Sequence, residues 1–199
     1  MSGKNEEDFD VPEEGPQRYS GPGPELTPAQ SEIKSKITSS RPESGFKGPF
    51  PVWLVNPPIC DAAQNLGRVV RYETGFDQNV TETIICMTSS YLGCVAEWMI
   101  HYPIALSNSV DHTLLEPLLL HFGNWPSDLL DHLSSESPFL SSILKITYNA
   151  LVNKGKFEDP EYKECVNVVG EKVLQDILSI VGYYTYVGLT LNCFRVSGK

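Results

Sequence analysis

The sequence predicts an all-α fold, and three observations carry that expectation. Apolar residues recur at intervals of three and four over most of the chain beyond residue 27, as they do along one face of a helix. Helix-start signals stand where such runs begin: Thr27-Pro28 and Asn56-Pro57 each set a capping residue before a proline that suits the first helical position. No segment shows the period-two alternation of a half-buried strand.

Taken in order, residues 1–26 combine Glu6, Glu7, Asp8, Asp10, Glu13 and Glu14 with four prolines and few apolar side chains. Such a composition cannot offset the entropy of ordering, so an acidic Pro/Gly-rich mobile tail is expected, with Phe9 or Tyr19 as docking points. An all-α domain then occupies 27–199. Its first helix is short and amphipathic, carries Ile33 and Ile37, and stops by Arg41-Pro42, because the residue before a proline avoids the α region. The segment GFKGPFPVWLVNPP is too apolar for an exposed linker and is expected to pack down, with Trp53 available to line a pocket. The next helix has Ile59, Ala62, Ala63, Leu66, Val69 and Val70 at helical spacing and ends at Gly75. Thr81 is the expected cap of a helix beginning at Glu82, and Gly93 the expected break after it. Further helices are expected at 114–122, 128–133 and 138–153, and a long apolar one at 161–192, interrupted at Gly170 or Gly182.

A chain of 199 residues and 22.1 kDa suits one domain plus a tail. Net charge −10 and a pI near 4.8 argue against nucleic acid, which requires a basic footprint. No apolar run reaches the length of a membrane span, and the start lacks the basic end and apolar centre of a secretory signal, so a cytoplasmic protein with no membrane partner is expected. Cysteines 60, 86, 94, 165 and 193 form no zinc-type pairs and read as reduced, buried thiols.

Chemistry concentrates in residues 82–105, ETIICMTSSYLGCVAEWMIHYPIA. Cys94, Glu97 and His101, at spacings of three and four, share one stripe of a helix, beside the apolar Trp98. A buried carboxylate one turn from an imidazole is a matched acid and base, because an unpaired charge there would be costly. Glu82 can join them only if the chain folds back near Gly93: on one straight helix it would stand roughly 28 Å from His101. Arg71, on the preceding helix, is a natural clamp for a substrate carboxylate if it points inward, since its planar fork matches that group. Dithiol chemistry would need a second cysteine at position 97, and no further His or carboxylate completes a metal ligand set around Glu97 and His101.

With these residues in view, the stretch resembles the signature of the carboxymuconolactone decarboxylase and alkylhydroperoxidase D-like superfamily. Its thiol peroxidases carry Glu, then Cys-x-x-Cys twelve residues on, then His four residues after the second Cys. Glu82, Cys94, Glu97 and His101 occupy those positions, with Glu97 in place of the second thiol and Ala96 where an extra relay His stands. The decarboxylase branch, which keeps the His without paired cysteines, is the nearer side. The runs QNLGRVVRYETG, EWMIHYPIAL and LSIVGYYTYVGLTLNCF are similar to a divergent, largely fungal branch met beside natural-product pathways.

The resemblance spans about 27–196 and implies an alkylhydroperoxidase D-like helical fold built around a central helical hairpin. It also implies trimers or hexamers, a site near a subunit interface and no cofactor. The function it implies is that of a cofactor-free acid/base enzyme, a decarboxylase, isomerase or lactone-modifying lyase acting on a small carbonyl, enol or lactone metabolite of secondary metabolism. His101, Glu97 and Glu82 would be catalytic; Arg71, Cys94, Trp98 and Trp53 would bind substrate, without a metal. Two other readings stand beside it: a thiol peroxidase or redox protein using Cys94, and a non-catalytic member that binds a metabolite or partner, which a solid core around Glu97 and His101 would favour.

Overall fold

The computed structural model describes residues 15–19, 21–41, 45–133 and 135–197. Of the expected tail, residues 1–14 (Phe9 included) lie outside these; 15–19 and 21–26 are described and contain no helix. Tyr19 does dock: its ring lies 6.0 Å from that of Phe194, and the Arg18 backbone N–H donates to the Phe194 carbonyl at 2.9 Å.

The described residues form an all-α fold of nine helices: α1 (Pro28–Ser40), α2 (Phe50–Trp53), α3 (Pro57–Tyr72), α4 (Gln78–Tyr91), α5 (Val95–Ser107), α6 (His112–Leu120), α7 (Leu129–His132), α8 (Pro138–Val152) and α9 (Asp159–Phe194). Thr27 caps α1 through its hydroxyl, with Gln30 answering as the reciprocal partner. The apolar segment before α3 is packed down, as its composition demands, and coils into α2 with Phe50, Val52, Trp53 and Leu54 buried.

Helix α4 is the centre of the molecule, packed on by α5, α6, α8 and α9. It is buried on every side from Thr81 to Ser90. Its hydroxyls make that burial tolerable, because Thr83, Thr88 and Ser89 each donate to the carbonyl one turn earlier at 2.7–2.8 Å and leave no donor orphaned. The helix begins at Gln78, four residues before the expected start at Glu82. Asp77 holds the extended cap conformation, and the Thr81 N–H already donates to the Asp77 carbonyl within the first turn.

On α3 the inward stripe is not the most apolar one. Cys60, Ala63, Gln64, Gly67 and Val70 face the core, whereas Ile59, Leu66 and Val69 face out. The reason is close approach to α9: a Cβ on Gly67 would lie 2.2 Å from the Tyr183 hydroxyl, so only glycine admits that ring.

Helix α9 is interrupted at Gly170, at φ 79° and ψ 159°, a backbone state open to glycine; Gly182 is ordinary helix. Its most apolar window has a mean hydropathy of 1.3, long and apolar enough to span a membrane, although the sequence shows no unbroken apolar run of that length; half of the window is buried inside the fold. Cys193 departs from the expectation of buried thiols: it is exposed on the last turn of α9, whereas Cys60, Cys86, Cys94 and Cys165 are buried.

Candidate active site

The turn between α4 and α5 builds the site. Gly93 adopts φ 59°; its N–H donates to the Ser90 carbonyl and the Cys94 N–H to the Ser89 carbonyl, the paired bonds of a helix stop with glycine in the left-handed position. The Ser90 carbonyl also accepts from the Gly123 N–H at 2.7 Å, while the Ser90 hydroxyl donates to the Leu118 carbonyl and accepts from Trp125 Nε1. The turn is thereby pinned to the end of α6. Helix α5 then runs back along α4, so the hairpin brings the first turns of α4 beside the second turn of α5.

That reversal places Glu82 against His101. Glu82 Oε2 lies 2.6 Å from His101 Nδ1, and Glu97 Oε2 lies 3.4 Å from His101 Nε2. The first is a short charge-assisted hydrogen bond; the second is an ion-pair distance without hydrogen-bond alignment, so Glu82 is the principal partner. The other Glu82 oxygen accepts from Arg71 Nη2 at 3.2 Å and from Gln78 Nε2 at 3.0 Å. Glu82 is 0% exposed, His101 3% and Glu97 5%, whereas the Arg71 side chain is 25% exposed and connects the cluster to solvent.

Two acidic and two basic side chains thus share one interior site, a balance that burial requires. Burial alone would push the His101 imidazole down, but the hydrogen bond to Glu82 and the nearby Glu97 carboxylate outweigh that and raise it above its ordinary value. Burial would likewise raise Glu82, yet His101, Arg71 and Gln78 hold it below the usual carboxylate range. Cys86, one turn beyond Glu82, is pushed well up by burial and by the two carboxylates, which makes it an unreactive thiol.

The remaining expected residues are distributed around this core. Cys94 is fully buried at the start of α5, its Cβ 3.6 Å from where a Cβ on Gly188 of α9 would stand. Trp98 is buried against Tyr102 and Phe122. Trp53 bonds through Nε1 to the Thr190 hydroxyl and stacks on Tyr186. A series of ring contacts, Trp53 to Tyr183 to Tyr184 to His101, separates it from the imidazole at centroid distances of 6.3, 5.3 and 5.4 Å. Among the described residues no group of three His, Cys, Asp or Glu side chains is placed to hold a metal ion.

Sequence reasoning missed Gln78 and Tyr184. Gln78 was open to discovery, since it stands four residues before Glu82 on the same helix. Tyr184, in contrast, lies in an aromatic run of the last helix that carries no spacing signal.

Two open grooves mark the surface, one of about 510 Å3 lined by polar residues that include Lys36, Asp61 and Arg68, the other of about 310 Å3 between Ile59, Leu66, Gly182, Tyr183 and Tyr186. Glu82, Glu97 and His101 line neither. No protein-family model matches the chain, and no curated protein matches it significantly.

Proposed function

We propose that the protein is a cofactor-free acid/base enzyme acting on a small carbonyl, enol or lactone metabolite, with decarboxylation, isomerisation or ring chemistry as the reaction. The observation that carries this reading is the imidazole of His101 facing a carboxylate at each ring nitrogen, 2.6 Å from Glu82 and 3.4 Å from Glu97. Such a clamp fixes the ring and tunes its basicity, two properties a proton shuttle needs. Arg71, the one member that reaches solvent, is the entry point for an anionic substrate group. The likeness of the Glu82, Cys94, Glu97, His101 spacing to the carboxymuconolactone decarboxylase-like signature supports the same reading, as does Cys94 lying fully buried at a helix start rather than presented as a reactive thiol.

One observation favours a second reading, a non-catalytic protein that binds a metabolite. His101 and both carboxylates are each at most 5% exposed, so in the single chain a substrate must enter through a rearrangement around Arg71.

Metabolite profiling after deletion of the coding gene, followed by incubation of the accumulated compound with purified protein, decides between the two. The acid/base reading expects conversion, with His101→Ala lowering turnover on the order of 100-fold or more while the circular dichroism is retained. Binding of that compound without conversion by the native protein selects the second reading.

A further inference from the structure

Glu82 divides its two oxygens between different partners. Oε2 meets His101 Nδ1 at 2.6 Å, while Oε1 accepts from Gln78 Nε2 at 3.0 Å and from Arg71 Nη2 at 3.2 Å. Gln78 is the first residue of α4 and stands one helical turn before Glu82, so its amide reaches the carboxylate along one face of a single helix. That bond needs no neighbouring helix to form. The two nitrogens of His101 are held unequally as well: Nδ1 faces Glu82 at hydrogen-bond distance, whereas Nε2 stands 3.4 Å from Glu97 Oε2 without hydrogen-bond alignment.

The proton between Glu82 and Nδ1 has two places to rest. On Nδ1 it leaves an ionised carboxylate, which only accepts; on Oε2 it leaves a neutral acid and a ring whose own proton sits on Nε2. In the first arrangement Nε2 gives up a proton and takes one back while the ring remains an ordinary imidazole or imidazolium. In the second, Nε2 can release its proton only if the carboxyl proton returns to Nδ1 at the same moment. Burial presses Glu82 toward its protonated form, and His101, Arg71 and Gln78 oppose it.

We propose that Gln78 is a positioning residue for proton transfer: its amide keeps Glu82 ionised and turned so that Oε2 retains the His101 proton on Nδ1, which leaves Nε2, on the Glu97 side, as the nitrogen whose proton is exchanged. The inference rests on the acid/base reading above and adds to it a residue that acts through Glu82 without facing the imidazole.

The test is NMR of the full-length protein carrying 15N-histidine and 13C-carboxyl glutamate, with His101→Gln and Glu82→Gln identifying the two sets of signals. Across a pH titration of the native protein, Nδ1 of His101 is expected to stay protonated while Nε2 loses its proton. Gln78→Met keeps the length of the side chain and removes the donor. It is expected to raise the proton affinity of the Glu82 carboxyl roughly tenfold, the worth of a hydrogen bond to a charged group. A neutral His101 ring that carries its single proton on Nε2 in the native protein overturns the inference, even where the variant does not fold. So does a Glu82 titration unmoved by Gln78→Met. The acid/base reading falls separately: turnover preserved in His101→Ala removes it whatever the Glu82 titration shows.

Discussion

At the scale of single residues, the His101 cluster ties stability to pH in a direction that can be worked out. His101 has a folded-state pKa raised above 6.5, so its stabilisation is complete below 6.5 and is lost as pH rises through the raised value. Glu82 is lowered from 4.5, so its contribution is present above 4.5 and is lost as pH falls through the lowered value. Denaturant midpoints measured across pH are therefore expected to be highest between about 4.5 and 6.5 and to decline on both sides, with each unit of displacement corresponding to about 1.4 kcal/mol. His101→Gln should abolish the decline that begins near 6.5; an identical pH profile in that variant would show that the cluster does not carry the effect. Most of this cluster was legible in the sequence, because Glu97 and His101 are one helical turn apart and Gly93 is the natural point of reversal for Glu82. Arg71 was visible as a residue but not as a direction, since the rotation of α3 is set by the small side chains Ala63 and Gly67 rather than by its largest apolar ones. Tyr184 was invisible, because only the tertiary path of α9 brings it to His101.

At the scale of elements, the α4–α5 turn is where sequence and site meet. Gly93 and Gly123 both hold left-handed backbone, and a Cβ on Gly93 would stand 3.3 Å from the Gly123 Cα, tighter than side chains ordinarily accept. Gly93→Ala is expected to cost about 1–2 kcal/mol for the left-handed conformation alone. Urea denaturation would show this as a lowered midpoint. Gly182, by contrast, is helical with open space where a Cβ would go, so Gly182→Ala should be neutral or favourable by up to about 1 kcal/mol. Equal destabilisation by both substitutions would contradict the roles assigned to these glycines. Helix existence was readable from periodicity and caps except at α2, whose proline-rich segment was expected to pack down without forming a helix. Boundaries were less so: Asp77 outcompetes Thr81 because the chain leaving Gly75 already has the extended geometry of a cap, and α9 breaks at Gly170 rather than Gly182 because only the former adopts a non-helical backbone.

At the scale of the whole molecule, the outward stripe of α3 becomes significant. Ile59, Leu66, Val69 and Tyr72 are exposed along that helix, and Tyr186 and Leu189 are exposed on α9. The groove of about 310 Å3 joins the two helices through Ile59, Leu66 and Tyr186. Contiguous apolar surface of this kind is uncommon on monomers and marks interfaces. Tyr72 adjoins Arg71, with the guanidinium 5.5 Å from the Tyr72 ring centroid, so a second copy seated here would border the solvent-reaching end of the charged cluster. Self-association through this face is the expected outcome. Light scattering at micromolar concentration should give a multiple of 22.1 kDa, and Leu66→Asp should reduce it. A native mass of one chain would place the apolar stripe outside any self-association.

The exposed thiol of Cys193 bears directly on how such masses are read. Its four fellow cysteines are buried, and burial raises Cys60 to about 11, so a thiol-directed alkylating reagent meets a single surface thiol per chain. Two chains joined through that sulfur would sediment as a dimer in air and fall apart in reductant, whatever the helices do. Only the mass that survives reduction reports on the α3–α9 face, and the same lone thiol supplies one defined attachment point for a fluorophore on the last turn of α9.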